Sequence, residues 1–225
     1  MKEFVIVPQS LIHDRELGDK RVIVFSAILF SGWNGNAIED LVRYSGYSVC
    51  RDRAGVLQQY KLLVKQFIDR GYFKYDDQGI VYIKPQESFG IVYYNEFQRI
   101  MHRRDISSKV GKRMNHAHLL LVLAHIRLHM IHQTGCPEIY SNLLSRISDS
   151  TDLSVRSISS GLKILEELHI IHNEELPRYT DEEGRWHSNV RIFANMEFAG
   201  QPGMQRDWQN EIRRGITYIL ASQKF

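Results

Sequence analysis

The stretch DSTDLSVRSISSGLKILEELHII, residues 149–171, restricts the fold more than any other part of the chain. Ser154 is a favourable helix N-cap, and Leu153 before it can meet Ile158 at the fourth helical position as a hydrophobic staple. Val155, Ile158, Leu162, Leu165 and Leu168 then recur at three- and four-residue steps, which is one apolar stripe on a helix. Gly161 flanks the stripe, where a small residue lets a neighbouring helix approach. The opposite face carries Arg156, Ser157, Ser159, Ser160 and Lys163. Upstream, Tyr140–Ser150 reads as a short helix with Leu143, Leu144 and Ile147 inward, followed by a break at Thr151-Asp152. A short helix, a sharp turn and a longer serine-capped helix form the helix-turn-helix pattern.

Downstream of the second helix the unit gains a wing. Leu168-His-Ile-Ile enters a strand, HNEELPRYTDEEGRWHS is a long polar loop, and a second strand lies near Asn189–Ala194. The first half repeats this order. Residues 37–48 give a short helix and a Gly46 turn, and a helix through Val56, Tyr60, Leu63, Val64 and Phe67 ends at Gly71. Tyr72–Tyr75, a DDQG turn and Ile80–Lys84 then form a hairpin, with Gly79 at the position that needs positive φ. Phe4-Val-Ile-Val also matches Phe89-Gly-Ile-Val about 85 residues later. Each is followed by an apolar helix, Val22–Leu29 in one half and Leu119–Met130 in the other. One asymmetry stands out: turn to wing takes about 17 residues in the second half and about 25 in the first. The first half therefore needs a longer second helix, or an extra turn at Arg51–Gly55.

LSRISDSTDLSVRSISSGLKILEELHII resembles the winged helix-turn-helix superfamily of bacterial DNA-binding proteins, and EDLVRYSGYS with VLQQYKLLVKQFIDRGYF is similar but looser. Two such units in tandem, each led by a strand and a long helix, resemble plasmid and phage replication initiators and DnaD-type primosome proteins. The resemblance implies a mainly α fold with small β-hairpin wings (α+β). It also implies two tandem winged-helix domains, which the repeat divides into 1–86 and 87–198; a C-terminal helix at 199–225 is read separately from its own apolar spacing. Its functional implication is sequence-specific binding of double-stranded DNA in replication initiation or transcription regulation.

Charge by segment refines that expectation. The whole chain is +3, but residues 1–84 carry +2, 85–114 carry +3, 115–198 carry −4 and 199–225 carry +2. Cations at phosphates release counterions, so a DNA reader needs them. The first half offers Arg51, Arg53, Lys61 and Lys65 beside Gln58 and Gln59, side chains suited to guanine and adenine edges. Arg103, Arg104, Lys109, Lys112 and Arg113 form a basic connector able to track a backbone. In the second half Arg156, Lys163 and the serines could meet a phosphate at a helix N-terminus. Its wing loop, however, holds Glu174, Glu175, Asp181, Glu182 and Glu183. The expectation is that the first half and connector bind DNA more tightly, while the acidic second half binds weakly or holds a replication or transcription protein. An interaction adaptor without DNA readout is the rival.

Other chemistry is sparse. The chain contains no G-x-x-x-x-G-K-[ST], G-x-S-x-G or G-x-G-x-x-G, so the expectation is no enzyme and no cofactor. His116, His118, His125, His129 and His132 crowd one stretch, and His125 with His129 has the i, i+4 spacing that can hold a metal. No Glu follows His125 and no cysteine or carboxylate lies nearby in sequence, so a polar helix face or a stacking interface is expected instead of a metal site. Trp208, Ile212, Ile216, Ile219 and Leu220 recur at helical spacing after Gly200-Gln-Pro-Gly203, an amphipathic arm suited to homodimerisation. The two cysteines, Cys50 and Cys136, form no C-x-x-C pair. MKEFVIVPQS lacks a signal-peptide core, and the longest apolar run, Leu119 to Ala124, is too short for a membrane. A soluble cytoplasmic protein is expected.

Overall fold

The computed structural model describes residues 3–48, 53–77, 79–102, 115–130, 139–175, 179–180, 186–187 and 190–195. These residues are mainly helical with small antiparallel strand pairs, an α+β architecture. The first half runs β1 (Phe4–Pro8), α1 (Gln9–His13), a 3-10 turn (Arg15–Leu17), α2 (Arg21–Ser31), α3 (Ile38–Tyr44), α4 (Arg53–Asp69), β2 (Phe73–Asp76) and β3 (Gly79–Tyr82). The second runs β4 (Phe89–Tyr93), α5 (Tyr94–Met101), α6 (His116–Leu128), β5 (Ile139–Leu143), α7 (Leu144–Thr151), α8 (Val155–Glu167), β6 (Ile171–Glu175), β7 (Tyr179–Thr180), β8 (Trp186–His187) and β9 (Val190–Asn195).

Helices α2 and α6 are the centre of the molecule. From Arg21 to Phe30 every residue of α2 is buried, and α6 is buried at Ala117 and from Leu119 to Arg127. A helix apolar on every side must be covered on every side. These two achieve that by packing on each other, with α6 also against β4, α7 and α8. Gly90 lets β4 lie close against α6, because a Cβ there would overlap the Ala124 carbonyl oxygen of α6.

The matched tetrapeptides near residues 4 and 89 pair with each other. β1 and β4 form an antiparallel ladder in which Ile6 faces Ile91, its own counterpart in the repeat. When equivalent strands pair antiparallel at equivalent residues, a local two-fold axis passes between them. Helices α2 and α6, the equivalents that follow these strands, pack on each other across the same seam. The halves thus share a similar element order, with β5 and the β7–β8 pair added in the second.

The 149–171 region folds much as its residues dictate. Ser154 caps α8 by accepting the Ser157 amide hydrogen, Leu153 and Ile158 are buried, and Asp152 takes a φ of 63° at the break. Val155 departs from the stripe, with 45% of its surface exposed. Two further expectations change. Residues 139–143 form β5, not the start of a helix, because β9 satisfies their backbone groups; α7 begins at Leu144. The expected polar loop after α8 is partly strand: β6 pairs with β9, and β7 with β8. Polar sequence is tolerated there because β6 is an edge strand, in the order β5-β9-β6. In the first half the extra length goes into α4, which has 17 residues against 13 in α8.

Arginines that a charge count would assign to the surface are used inside. Arg21 is 1% exposed and donates to the carbonyls of Ile12, Gly18 and Thr151, capping α1 and reaching the end of α7. Arg99 donates to the carbonyls of Leu168 and His169 at the C-terminus of α8. Arg127 forms a buried ion pair with Glu96 at 2.5 Å. No helix among the described residues is long and apolar enough to cross a membrane.

Candidate nucleic-acid interface

Helix α4 lies across α3 and leads into the β2–β3 hairpin. Its buried side, Tyr60, Leu63, Val64 and Phe67, locks onto the first-half core, where Phe67 meets Phe25, Tyr72 and Phe73 edge to face or tilted. That anchoring leaves Gln58, Gln59, Lys61, Leu62 and Lys65 exposed. Gln58, Lys61, Leu62 and Lys65 lie at steps of three and four, so they share one face. Gln59 turns aside to the Lys20 ammonium, which also sits 4.8 Å from the centre of the Tyr47 ring.

Lys61 and Lys65 border a groove of about 600 Å³ between α4, α3 and the hairpin. Trp33, Ile38, Leu57, Val64, Ile68 and Tyr75 supply its apolar lining, and Glu39 stands at its side. Sequence spacing places the two lysines on one face but gives no sign of the groove. Its walls come from residues 33–39 and from Tyr75, brought to α4 only by tertiary packing.

The other candidates fall in different places. Arg53 opens α4, and only its backbone is described; Arg51 lies outside the described residues, as do Arg103, Arg104, Lys109, Lys112 and Arg113. On α8, Arg156 and Lys163 are exposed, while Ser157, Ser159 and Ser160 are half-buried. Ser157 is engaged with the Ser154 cap through both its amide and its hydroxyl. Glu174 and Glu175 lie on edge strand β6, and Asp181, Glu182 and Glu183 fall outside the described residues. The dimerisation arm, with Trp208, Ile212, Ile216, Ile219 and Leu220, lies outside them as well.

The histidine-rich helix is not a polar face. His125 is 1% exposed within α6, and burial, then His129 and His13, holds its pKa down at about 3. The rings cluster: His125 and His129 meet edge to face with centroids 4.7 Å apart, and His13 from α1 joins them, tilted against His125 at 5.7 Å and stacked on His129 at 6.1 Å. At the other end of α6, His118 contacts Asp19 at 2.9 Å and the Asn115 amide reaches the same carboxylate. That contact, through the His118 hydrogen bond, lowers the Asp19 pKa.

No family model matches the chain, and no curated protein or solved structure matches it.

Proposed function

We propose that the chain binds double-stranded DNA through two winged helix-turn-helix units, with α4 as the principal reading helix. The observation that carries this reading is the exposed face of α4. It holds an amide and two ammonium groups, Gln58, Lys61 and Lys65, on a helix that follows a turn and precedes a hairpin. Ammonium groups on that face meet phosphates, and a glutamine amide can form paired hydrogen bonds with adenine. Arg51, Arg53 and the basic connector at 103–113 extend the charge along the backbone. The second unit, with Arg156 and Lys163 on α8 and four net negative charges over 115–198, binds weakly or docks a replication or transcription protein. Marking a replication origin or a promoter of a plasmid or phage follows from sequence-specific binding by such a chain.

An adaptor that docks protein is favoured by the apolar lining of the groove beside Lys61 and Lys65. Fluorescence anisotropy with random and genomic duplexes across a salt series separates the two readings. A DNA reader loses affinity steeply with salt and enriches particular fragments; an adaptor does neither. Lys61→Glu with Lys65→Glu weakens binding about tenfold or more and lowers the salt slope by roughly two. Unchanged binding in that variant and in Arg51→Glu with Arg53→Glu overturns the assignment of α4.

A further inference from the structure

His13, His125 and His129 each offer a ring nitrogen, and these atoms all lie within 4.8 Å of one another. His13 ends α1 in the first half, whereas His125 and His129 lie one turn apart at the end of α6 in the second. The i, i+4 pair lacks a third ligand nearby in sequence, and the packing of α1 on α6 supplies it from 112 residues away. We propose that the three imidazoles bind one divalent transition-metal ion of the zinc class, clamping the two halves together.

The donor set fits that class and excludes others. Three neutral nitrogens without a carboxylate suit Zn²⁺, Co²⁺, Ni²⁺ or Cu²⁺, whereas Mg²⁺ and Ca²⁺ require oxygen. A tetrahedral ion with bonds of about 2.0–2.1 Å holds its nitrogens roughly 3.3 Å apart, so the present triangle must close by roughly 1.5 Å at most. His13 is half-buried and His129 exposed, so closing the triangle falls to these two rings more than to the buried His125. His13 Nε2 is buried without a hydrogen-bond partner among the described residues, and a metal would satisfy it.

The protonation state agrees with this geometry. Burial first, and then Arg21 for His13 and the neighbouring imidazoles for His125 and His129, lowers the pKa of all three rings, so they are neutral near pH 7, the form that ligates a metal. Arg21 and Glu87 act on His13 with opposite signs, so the field around the site is not purely cationic. His129 is exposed and opens the cluster to solvent, which gives an ion its path of entry and a water its coordination position. The site is independent of the DNA-reading face and stands or falls separately.

The test is cobalt titration of the tag-free full chain, followed by visible absorption and by calorimetry with zinc. One ion per chain is expected, with the absorption bands of a tetrahedral or five-coordinate nitrogen site. His129→Ala and His13→Ala each weaken binding by roughly tenfold or more, since even outer-shell changes do as much. His102→Ala and His169→Ala, on exposed histidines elsewhere, leave it unchanged. Circular dichroism of the metal-free His129→Ala protein confirms folding, and His125→Asn probes the buried ligand. No cobalt uptake by the unaltered chain, or uptake that survives both His13→Ala and His129→Ala, overturns the proposal.

Discussion

Glu96 holds two elements in place with one carboxylate. One oxygen accepts the Tyr93 amide hydrogen where β4 becomes α5, and the other receives the Arg127 guanidinium from α6. Both side chains are almost fully buried, so neither charge is shared with water. Burial pushes the Glu96 carboxyl up, and Arg127 pulls against it. Removing the cation alone strands the anion: Arg127→Met lowers unfolding free energy by about 3–5 kcal/mol in urea titration. Adding Glu96→Leu recovers much of that loss but not the Tyr93 cap. If the single and double variants were equally unstable, the pair would not be what holds α5 to α6. Asp19 gives a pH-dependent counterpart. Its folded pKa lies below the ordinary value of 3.8, chiefly because of the His118 hydrogen bond. The stabilisation is therefore complete above that value and fades as pH falls through the lower folded one. Asp19→Asn is less stable than the unaltered chain at pH 7, and the gap narrows towards pH 2; a constant gap would point to lost packing instead. None of these pairs was legible in the sequence, because their partners lie 31 and 99 residues apart and no periodicity links them.

At the scale of elements, legibility followed the range of the forces involved. The cap, staple and break around α8 are local, so Ser154, Leu153 and Asp152 could be placed from residues alone. β5 could not, since its identity as a strand depends on β9, some 50 residues later. The apolar groove along α4 stayed hidden for the same reason. Glycines divide in a similar way. Gly71 has a φ of 75° at the end of α4 with open space around it, whereas Gly90 lies in extended backbone against the Ala124 carbonyl. Gly71→Ala therefore costs about 1 kcal/mol from backbone strain alone. Gly90→Ala forces β4 away from α6 and costs about 1–3 kcal/mol, as overpacking does. Denaturant midpoints rank the two; equal losses would mean that the β4–α6 contact has slack.

For the whole molecule, the question is whether two halves of similar element order make two independent folding units. Linear reading divides the chain near residue 86, yet among the described residues the strand that begins the first half pairs only with the strand that begins the second. The apolar surfaces of α2 and α6 likewise cover each other. Arg21 reaches from α2 to the Thr151 carbonyl, and Asp19 meets His118, so polar links cross the same seam. Neither half could keep its central helix dry alone, and water on either face would forfeit about 25 cal/mol for each Å² of apolar surface exposed. The halves should therefore melt together: calorimetry gives one transition, with van't Hoff and calorimetric enthalpies equal. Ile6→Asp, at the residue that faces its own counterpart Ile91, should lower the stability of both halves at once. Hydrogen exchange reports this directly, because the amides of α2 and α6 should then lose protection to the same extent. Protection lost in α2 but kept in α6 would show that the second copy folds without the first, leaving their two-fold contact a docking of finished units.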